Sequence, residues 1–527
     1  MTKASLLPDD GFGGVAAPLP KIGMGQWFTE RALRDGHRKA LTFEGTTWTY
    51  AEMLEQVDHM AGALLAGGVE KGTRVGYLGF NHPMFFFALF ACSKIGAVFV
   101  PLNFRLAGPE FEYIISDAGV HTLLVDSDHI AVIETVREKL PCKRYLCAHG
   151  TPADADRWPD TAQAMAASAP VRQAHQPHQD DVAVLMYTSG TTGRPKGAML
   201  TVGNFWWNHV NELVMFDIHT DDVLLTFAPI YHIGALNVLT LTSILKGAHI
   251  VLQRSFDPEL VLRDIALHKA TNLFVVPAML LFISQHPNFA NADLTTVRSM
   301  FCGGAPCPEP LLHLLGKRGI MVRQGYGLTE TAALATALSD EWVNSKIGSV
   351  GMSPLLTDVC IKTAEGRVVT EPQERGEVCV RGMNVTRGYW NQPTATRNAI
   401  NDDHWFHTGD IGYFDADGFY YICDRVKDMI ITGGENVYPA EIESVLFEHP
   451  SVAEVAVVGL PDEQWGEAVE AVVALKPGAS LTLDELRAFA TERLARYKVP
   501  KQLRIVPALP RNATGKILKY KLRETET

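Results

Sequence analysis

Tyr187-Thr188-Ser189-Gly190-Thr191-Thr192-Gly193-Arg194-Pro195-Lys196-Gly197 closes an apolar run, Val182–Tyr187, short enough to be a buried strand. Its glycines let the backbone turn tightly, so that successive amide N–H groups can converge on phosphate oxygens. Four hydroxyls, from Thr188, Ser189, Thr191 and Thr192, add donors, and Lys196 adds positive charge. The loop is not a Walker A sequence, because no GxxxxGK[ST] spacing can be laid over it. A fragment of five such residues would be read as a loop without a ligand. All eleven together point to a phosphate site.

Outward from this loop, strands and helices alternate. Arg74–Phe80, Val223–Phe227, Ala248–Leu252 and Leu273–Val276 have the length of buried strands. Between such runs lie helical patterns. Thr49 with Glu52 forms a capping box that opens a helix through Leu65. Asp257–Pro258, a cap followed by proline, opens another that runs to His268. A third starts near Pro308 and ends at Gly319. This alternation predicts parallel sheets covered by helices on both faces. After about Gly376 the texture changes to Gly, Asp and aromatic residues with short strands. A compact α+β tail follows, with helices from Pro439 to Glu448 and from Thr482 to about Ala495, and strands at Val452–Gly459 and Val469–Leu475. We place a domain boundary near Asp424–Asp428, dividing residues 1–424 from residues 425–527.

The 527 residues carry a formal net charge of −12, with 47% hydrophobic and 20% charged residues. No basic stripe is present, which argues against duplex nucleic acid as a partner. The eight cysteines include no CxxC pair, and their local spacings match no zinc pattern, so buried free thiols are expected. The first residues lack the apolar run of a signal peptide. The greasiest stretch, Met84–Val100, is broken by Ser93, Lys94 and Gly96, and its uninterrupted part falls short of the ~20 residues a membrane helix needs. A cytoplasmic protein is expected.

Further motifs follow in order: Phe227-Ala-Pro-Ile-Tyr-His-Ile-Gly234, Gly303-Gly304-Ala305-Pro306, Gly325-Tyr326-Gly327-Leu-Thr329-Glu330-Thr331, His407-Thr-Gly-Asp410, Asp424-Arg425-Val-Lys427-Asp428, Gly433-Gly434-Glu435-Asn436 and Pro510-Arg-Asn-Ala-Thr-Gly-Lys516. With the loop at Tyr187–Gly197 they resemble the adenylate-forming superfamily of acyl-CoA synthetases, firefly-type luciferases and peptide-synthetase adenylation domains. Pro101-Leu-Asn-Phe-Arg-Leu106 is similar to the acyl-CoA synthetase branch, and the resemblance covers nearly the whole chain. It implies that residues 188–193 and Lys196 bind the phosphates of ATP, and that Gly303–Pro306, Gly325, Tyr326 and Gly327 line the adenine. It assigns Thr329 to the α-phosphate, Glu330 to Mg²⁺, and Asp410 with Arg425 to the ribose. Lys516 would bridge the attacking carboxylate and the α-phosphate, where an ammonium is worth most as charge builds up. Taken singly, Glu330 and Lys516 would be read as solvated surface charges and His232 as a packed histidine. Two departures from the family pattern stand out, Asp424 where glycine is common and Val202 where many relatives have histidine. The second puts the capping of the helix after Thr201 in question.

The resemblance implies a large N-terminal domain of layered α/β sheets with a small barrel-like part, then a small mobile α+β C-terminal domain. It also implies that an acid and MgATP give acyl-AMP and pyrophosphate, and that coenzyme A then takes the acyl group. The small domain would rotate between the steps about Lys427, bringing Gly433, Gly434, Glu435 and Asn436 to the pantetheine. His232 would border the acid carboxylate and the pantetheine passage. The acid pocket is expected among His232, Gly234, Ala235, Asn237, Met279, Cys302, Ala332 and Ala333, which are mostly small or apolar. A medium- or long-chain fatty acid is the first expectation and a cinnamate-like acid the second. Loading of a carrier protein, luciferase-like oxidation and a non-catalytic nucleotide sensor are the rival readings, and a homodimer is expected from the family alone.

Overall fold

The computed structural model describes residues 21–188, 194–425, 428–432, 435–462, 465–511 and 517–524. Among these residues the strands form four sheets. One has the order Arg144–Cys147, Val120–Val125, Arg74–Leu78, Val98–Leu102, Val182–Thr188, Lys196–Thr201. Its pairs are parallel except the last, an antiparallel hairpin. A second runs from Thr336–Ala337 through Val322–Tyr326, Ser299–Cys302, Asn272–Val275, Val223–Thr226, His249–Leu252 and Lys39–Phe43 to Thr46–Thr49. Both of its edge strands are antiparallel to their neighbours and its interior is parallel. The expected parallel α/β sheets are thus present, with antiparallel strands at their margins.

The helix signals hold locally. Thr49 accepts from the backbone of Glu52, whose side chain returns the bond, and the helix spans Tyr50–Ala66. Asp257 accepts from the N–H groups of Glu259 and Leu260 and opens Pro258–His268. After Thr201 the missing histidine is made good by Asn204, whose side chain and backbone complete a capping box. The greasy run at Met84–Val100 is a helix, Pro83–Ile95, followed by the strand Val98–Leu102. It sits in the largest apolar cluster, which draws Val75 and Tyr77 from one sheet and Leu224 and Leu225 from the other. Lys94, which interrupts the run, is fully buried and paired with Asp58. A buried lysine without its partner would cost several kcal/mol, so the pair fixes how this helix meets Tyr50–Ala66. No helix among the described residues is long and apolar enough to cross a membrane.

The small part expected after Gly376 rests on an antiparallel sheet of Thr357–Lys362, Gly376–Gly382, Phe406–Phe414 and Tyr420–Arg425. Beyond it, the long hairpin Val452–Asp462 and Gly466–Leu475 is flanked by Ile430–Thr432, Glu435–Val437 and Gln502–Ile505. Helices Pro439–Phe447 and Leu483–Thr491 cover it, the second ending a turn earlier than the sequence suggests. The apolar clusters of this tail draw only on residues from Ile430 onward.

Candidate active site

The hairpin Val182–Thr188 and Lys196–Thr201 sets the phosphate-loop segment at a sheet margin, with Thr188 directly opposite Lys196. Residues Ser189, Gly190, Thr191, Thr192 and Gly193 lie outside the described residues. Tyr187 is tied down by its hydroxyl, which donates to Asp117 Oδ2 at 2.5 Å. A Cβ on Gly197 would come within 3.0 Å of the Tyr187 ring, so glycine is what lets the two strands close over it. The segment 386–391 lies along the same strand: the Trp390 N–H donates to Gly197 O at 2.8 Å, and Ala198 bridges Tyr389.

That placement brings Tyr389 between two predicted site residues. Its ring centre is 5.2 Å from Lys196 Nζ, and its hydroxyl donates to Glu330 Oε1 at 2.8 Å. Glu330 is only 7% exposed, so the reading of a solvated surface acid does not hold. Burial raises its carboxyl pKa, opposed by the Tyr389 hydrogen bond. One buried carboxylate beside a basic loop suits Mg²⁺, which takes its other oxygens from phosphates and water. Thr329 stands next to Glu330 at the head of the short turn Thr329–Thr331.

Asp410 and Arg425 face each other across the strands Phe406–Phe414 and Tyr420–Arg425. Arg425 Nε lies 3.2 Å from Asp410 Oδ1, and the Tyr326 hydroxyl donates to Asp410 Oδ2 at 2.6 Å. Burial, with Asp410 beside it, raises the Tyr326 phenol pKa, so the phenol remains a donor. Arg425 and Tyr326 thus converge on the one carboxylate of Asp410. The glycines around Tyr326 have a packing cause. A Cβ on Gly325 would come within 2.2 Å of the Phe301 ring, and one on Gly327 within 1.7 Å of Ala333 O. Gly303–Pro306 leaves the neighbouring strand Ser299–Cys302, with Gly304 at φ +85°. Asp424, the departure from the family pattern, accepts from the Ala440 N–H at 3.1 Å and so ties the start of the tail to the last strand of the sheet.

His232 stands at the N-cap position of the short helix Ile233–Asn237. Burial lowers its pKa to about 3, so the ring is neutral, and its Nε2 is buried with no hydrogen-bond partner among the described residues. From the same helix Asn237 Nδ2 donates to Ala332 O at 2.6 Å. The Leu334 N–H donates to Asn208 Oδ1 at 3.2 Å, and Asn384 Nδ2 donates to Leu334 O at 2.9 Å. These amides hold Ala332 at φ +53° and Ala333 at φ +109°, conformations that cost about 1–3 kcal/mol each and persist only where the surroundings enforce them. Gly234 is needed too: a Cβ there would come within 2.9 Å of the Phe274 ring, which stacks on Phe301. His232, Gly234, Ala235, Asn237, Ala332 and Ala333 therefore belong to one neighbourhood, with Cys302 buried on the strand beside Phe274. Met279 lines a cleft of about 430 Å³ with Phe80, Phe104, Arg105, Arg254 and Arg511.

Sequence reasoning did not find Tyr389, Asn208, Asn384 or Phe274. The signal for Tyr389 was present as the aromatic pair after Gly388, but nothing local connects it with Glu330. Lys516, Lys427, Gly433 and Gly434 lie outside the described residues, and Glu435 and Asn436 stand on the short strand Glu435–Val437.

Residues 28–390 match the AMP-binding enzyme family, and residues 441–516 match the AMP-binding enzyme C-terminal domain. The chain belongs to the AMP-binding enzyme family. A feruloyl-CoA synthase from an Amycolatopsis species is 44% identical over 503 residues, covering 95% of this chain and 98% of that protein. Long-chain-fatty-acid–CoA ligase FadD13 of Mycobacterium tuberculosis is 40% identical over 476 residues, covering 90% of this chain and 92% of that one. Among solved structures, o-succinylbenzoate CoA synthetase (MenE) from Bacillus subtilis with its acyl-adenylate superposes with a TM-score of 0.85 at 34% identity, covering 95% and 98% of the two chains. With this family and these relatives, the chain is an AMP-forming acid–CoA ligase.

Proposed function

We propose that the acid is aromatic, of the hydroxycinnamate kind, in place of the fatty acid that the sequence alone put first. The relatives support this: feruloyl-CoA synthase and o-succinylbenzoate CoA synthetase are named for acids that carry a benzene ring. The observation that carries the reading is the aromatic, pinned neighbourhood of Gly234. Phe274 packs against Gly234 and stacks on Phe301, while the amides of Asn208, Asn237 and Asn384 pin Ala332–Leu334 beside the same helix. Rigid surroundings rich in aromatic faces suit a flat ring better than a flexible chain. The FadD13 relative supports a fatty acid, and the two readings part in one experiment. The kcat/KM for ferulate or cinnamate should exceed that for saturated acids of 12 to 18 carbons by about tenfold or more, the scale at which apolar pockets discriminate. A preference for the fatty acids would overturn the aromatic reading.

In the first half-reaction the acid carboxylate attacks the α-phosphorus of ATP and pyrophosphate leaves. Asp410, held by Arg425 and Tyr326, accepts from the ribose hydroxyls. Glu330, braced by Tyr389, would hold Mg²⁺, whose charge would offset that of the phosphates. Lys516 bridges carboxylate and phosphate as negative charge accumulates. Neutral His232 borders the carboxyl without adding a second cation. In the second half-reaction the thiolate of coenzyme A attacks the acyl carbonyl and AMP departs with the former carboxylate oxygen. The three arginines and the phenyl rings of the 430 Å³ cleft suit the phosphorylated end of coenzyme A, and Gly433–Asn436 would meet the pantetheine after rotation about Lys427.

A further inference from the structure

The sheet that carries Asp410 brings together a second set of donors. Cys360 is the cross-strand partner of Cys379, and Cys379 is the partner of His407. The three form a row across adjacent strands, so the pleat sends their side chains to one face. Glu377 lies two residues before Cys379, on that face, next to an irregularity in the pairing with Phe406–Phe414. His407 Nδ1 is 2.7 Å from Glu377 Oε2 and 3.6 Å from Cys379 Sγ, and the donor atoms of all three residues lie within 4.8 Å of one another. Cys360, directly across the strand pair from Cys379, brings a second thiol to that face. Cys379 is buried, whereas Cys360, His407 and Glu377 are half-buried, which leaves a route in from solvent.

We propose that Cys360, Cys379, His407 and Glu377 form a binding site for a thiophilic divalent cation of the Zn²⁺ type. Two thiolates, an imidazole and a carboxylate are a donor set that zinc accepts in tetrahedral geometry, and bonds of about 2.0–2.3 Å set such donors about 3.5 Å apart. Glu377, Cys379 and His407 already hold their donor atoms within 4.8 Å of one another, and Cys360 stands across the strand pair from Cys379. Binding would release the two thiol protons to solvent. Mg²⁺, a hard cation that prefers oxygen, does not compete for the thiolates. The site adjoins the nucleotide site directly. The other oxygen of Glu377 accepts from the Gly409 N–H at 2.9 Å, and Gly409, at φ +72°, precedes Asp410. A cation that takes Glu377 and His407 therefore bears on the turn that presents Asp410. Local cysteine spacing gave no hint of this, because the donors come from three strands.

The alternative is a purely structural His–Glu hydrogen bond bracing the Gly409 turn, with two bystander thiols. Titrating the full-length, chelator-treated, reduced protein with Co²⁺ separates the two. The site predicts saturation at one equivalent, with a near-ultraviolet thiolate-to-Co²⁺ charge-transfer band, strong visible bands of a tetrahedral ion, and displacement by one equivalent of Zn²⁺. Cys360→Ser, at a half-buried position, should keep the melting temperature while losing about half of the near-ultraviolet intensity, and Cys360→Ser/Cys379→Ser should lose it all. Absence of the charge-transfer band in the wild-type protein at saturating Co²⁺ would overturn the proposal. An undiminished band in Cys360→Ser would also overturn it, by placing the thiolates elsewhere.

Discussion

Tyr389→Phe isolates a contact that nothing adjacent in sequence reveals. The change removes one hydroxyl and keeps the ring, so the Lys196 ammonium retains its aromatic neighbour and the backbone bridge to Ala198 is untouched. What is lost is the 2.8 Å hydrogen bond to Glu330, a carboxyl that is 7% exposed. A hydrogen bond to a charged group is worth about 1.5–3 kcal/mol, which is about 10- to 150-fold in a rate or equilibrium constant. If Glu330 holds Mg²⁺ for the attack on ATP, this loss falls on adenylation. Pyrophosphate release at saturating acid should drop by about that factor, and raised Mg²⁺ should recover part of it. Thioester formation from supplied acyl-AMP, which cleaves no phosphate, should be nearly unchanged. An equal fall in both half-reactions would mean that Tyr389 only supports the fold. An unchanged adenylation rate would remove Glu330 from the metal.

Lys516→Ala should slow adenylation by about a hundred- to thousandfold, the ~2.7–4 kcal/mol typical of one lost transition-state contact, while sparing thioester formation from acyl-AMP. Equal losses in the two half-reactions would contradict that role. Phe274→Ala should destabilise the protein by about 3–5 kcal/mol through the cavity it leaves, and should raise kcat/KM for bulkier acids relative to ferulate. A selectivity that does not move would place Phe274 outside the pocket. Burial lowers the pKa of His82, His209 and His232 to about 3 from 6.5. The unfolded chain therefore binds protons that the folded one does not, and stability is lost as pH falls from about 6.5 toward 3. In denaturant unfolding at pH 6 and pH 5, His209→Gln should flatten the loss by about 1.4 kcal/mol per pH unit. An unaltered slope would mean that His209 titrates normally when folded.

Signals confined to one turn of chain were legible in the sequence. Thr49 with Glu52, Asp257 with Pro258, and Pro439 each opened the helix they announced, because caps act on backbone groups two or three residues away. The apolar runs gave the strands but not their direction. Periodicity is the same for parallel and antiparallel neighbours, so the hairpin at Lys196–Thr201 was missed. The Lys94–Asp58 pair was hidden for another reason: a lysine in a greasy run looks like an interruption until its partner, 36 residues away, is placed. In the site, the motifs named Glu330, Tyr326, Asp410 and Arg425. Tyr389 comes from 59 residues beyond Glu330, and no spacing rule spans that distance. Ala332 and Ala333 were expected in the pocket for their size, yet nothing in an alanine announces a positive φ imposed by Asn237 and Asn208. The row Cys360–Cys379–His407 depends on strand register, which composition does not carry.

In the proposed reaction an aromatic acid becomes an adenylate before it meets coenzyme A, and oxygen transfer tests that step. Ferulate labelled with ¹⁸O in both carboxylate oxygens is incubated with the protein, ATP, Mg²⁺ and coenzyme A, and the nucleotide is recovered for mass spectrometry. Attack of the carboxylate on the α-phosphorus, then departure of AMP from the acyl carbon, places one ¹⁸O in each AMP, with one feruloyl-CoA formed and unlabelled pyrophosphate released. AMP without label, or ADP with labelled inorganic phosphate, would contradict the account.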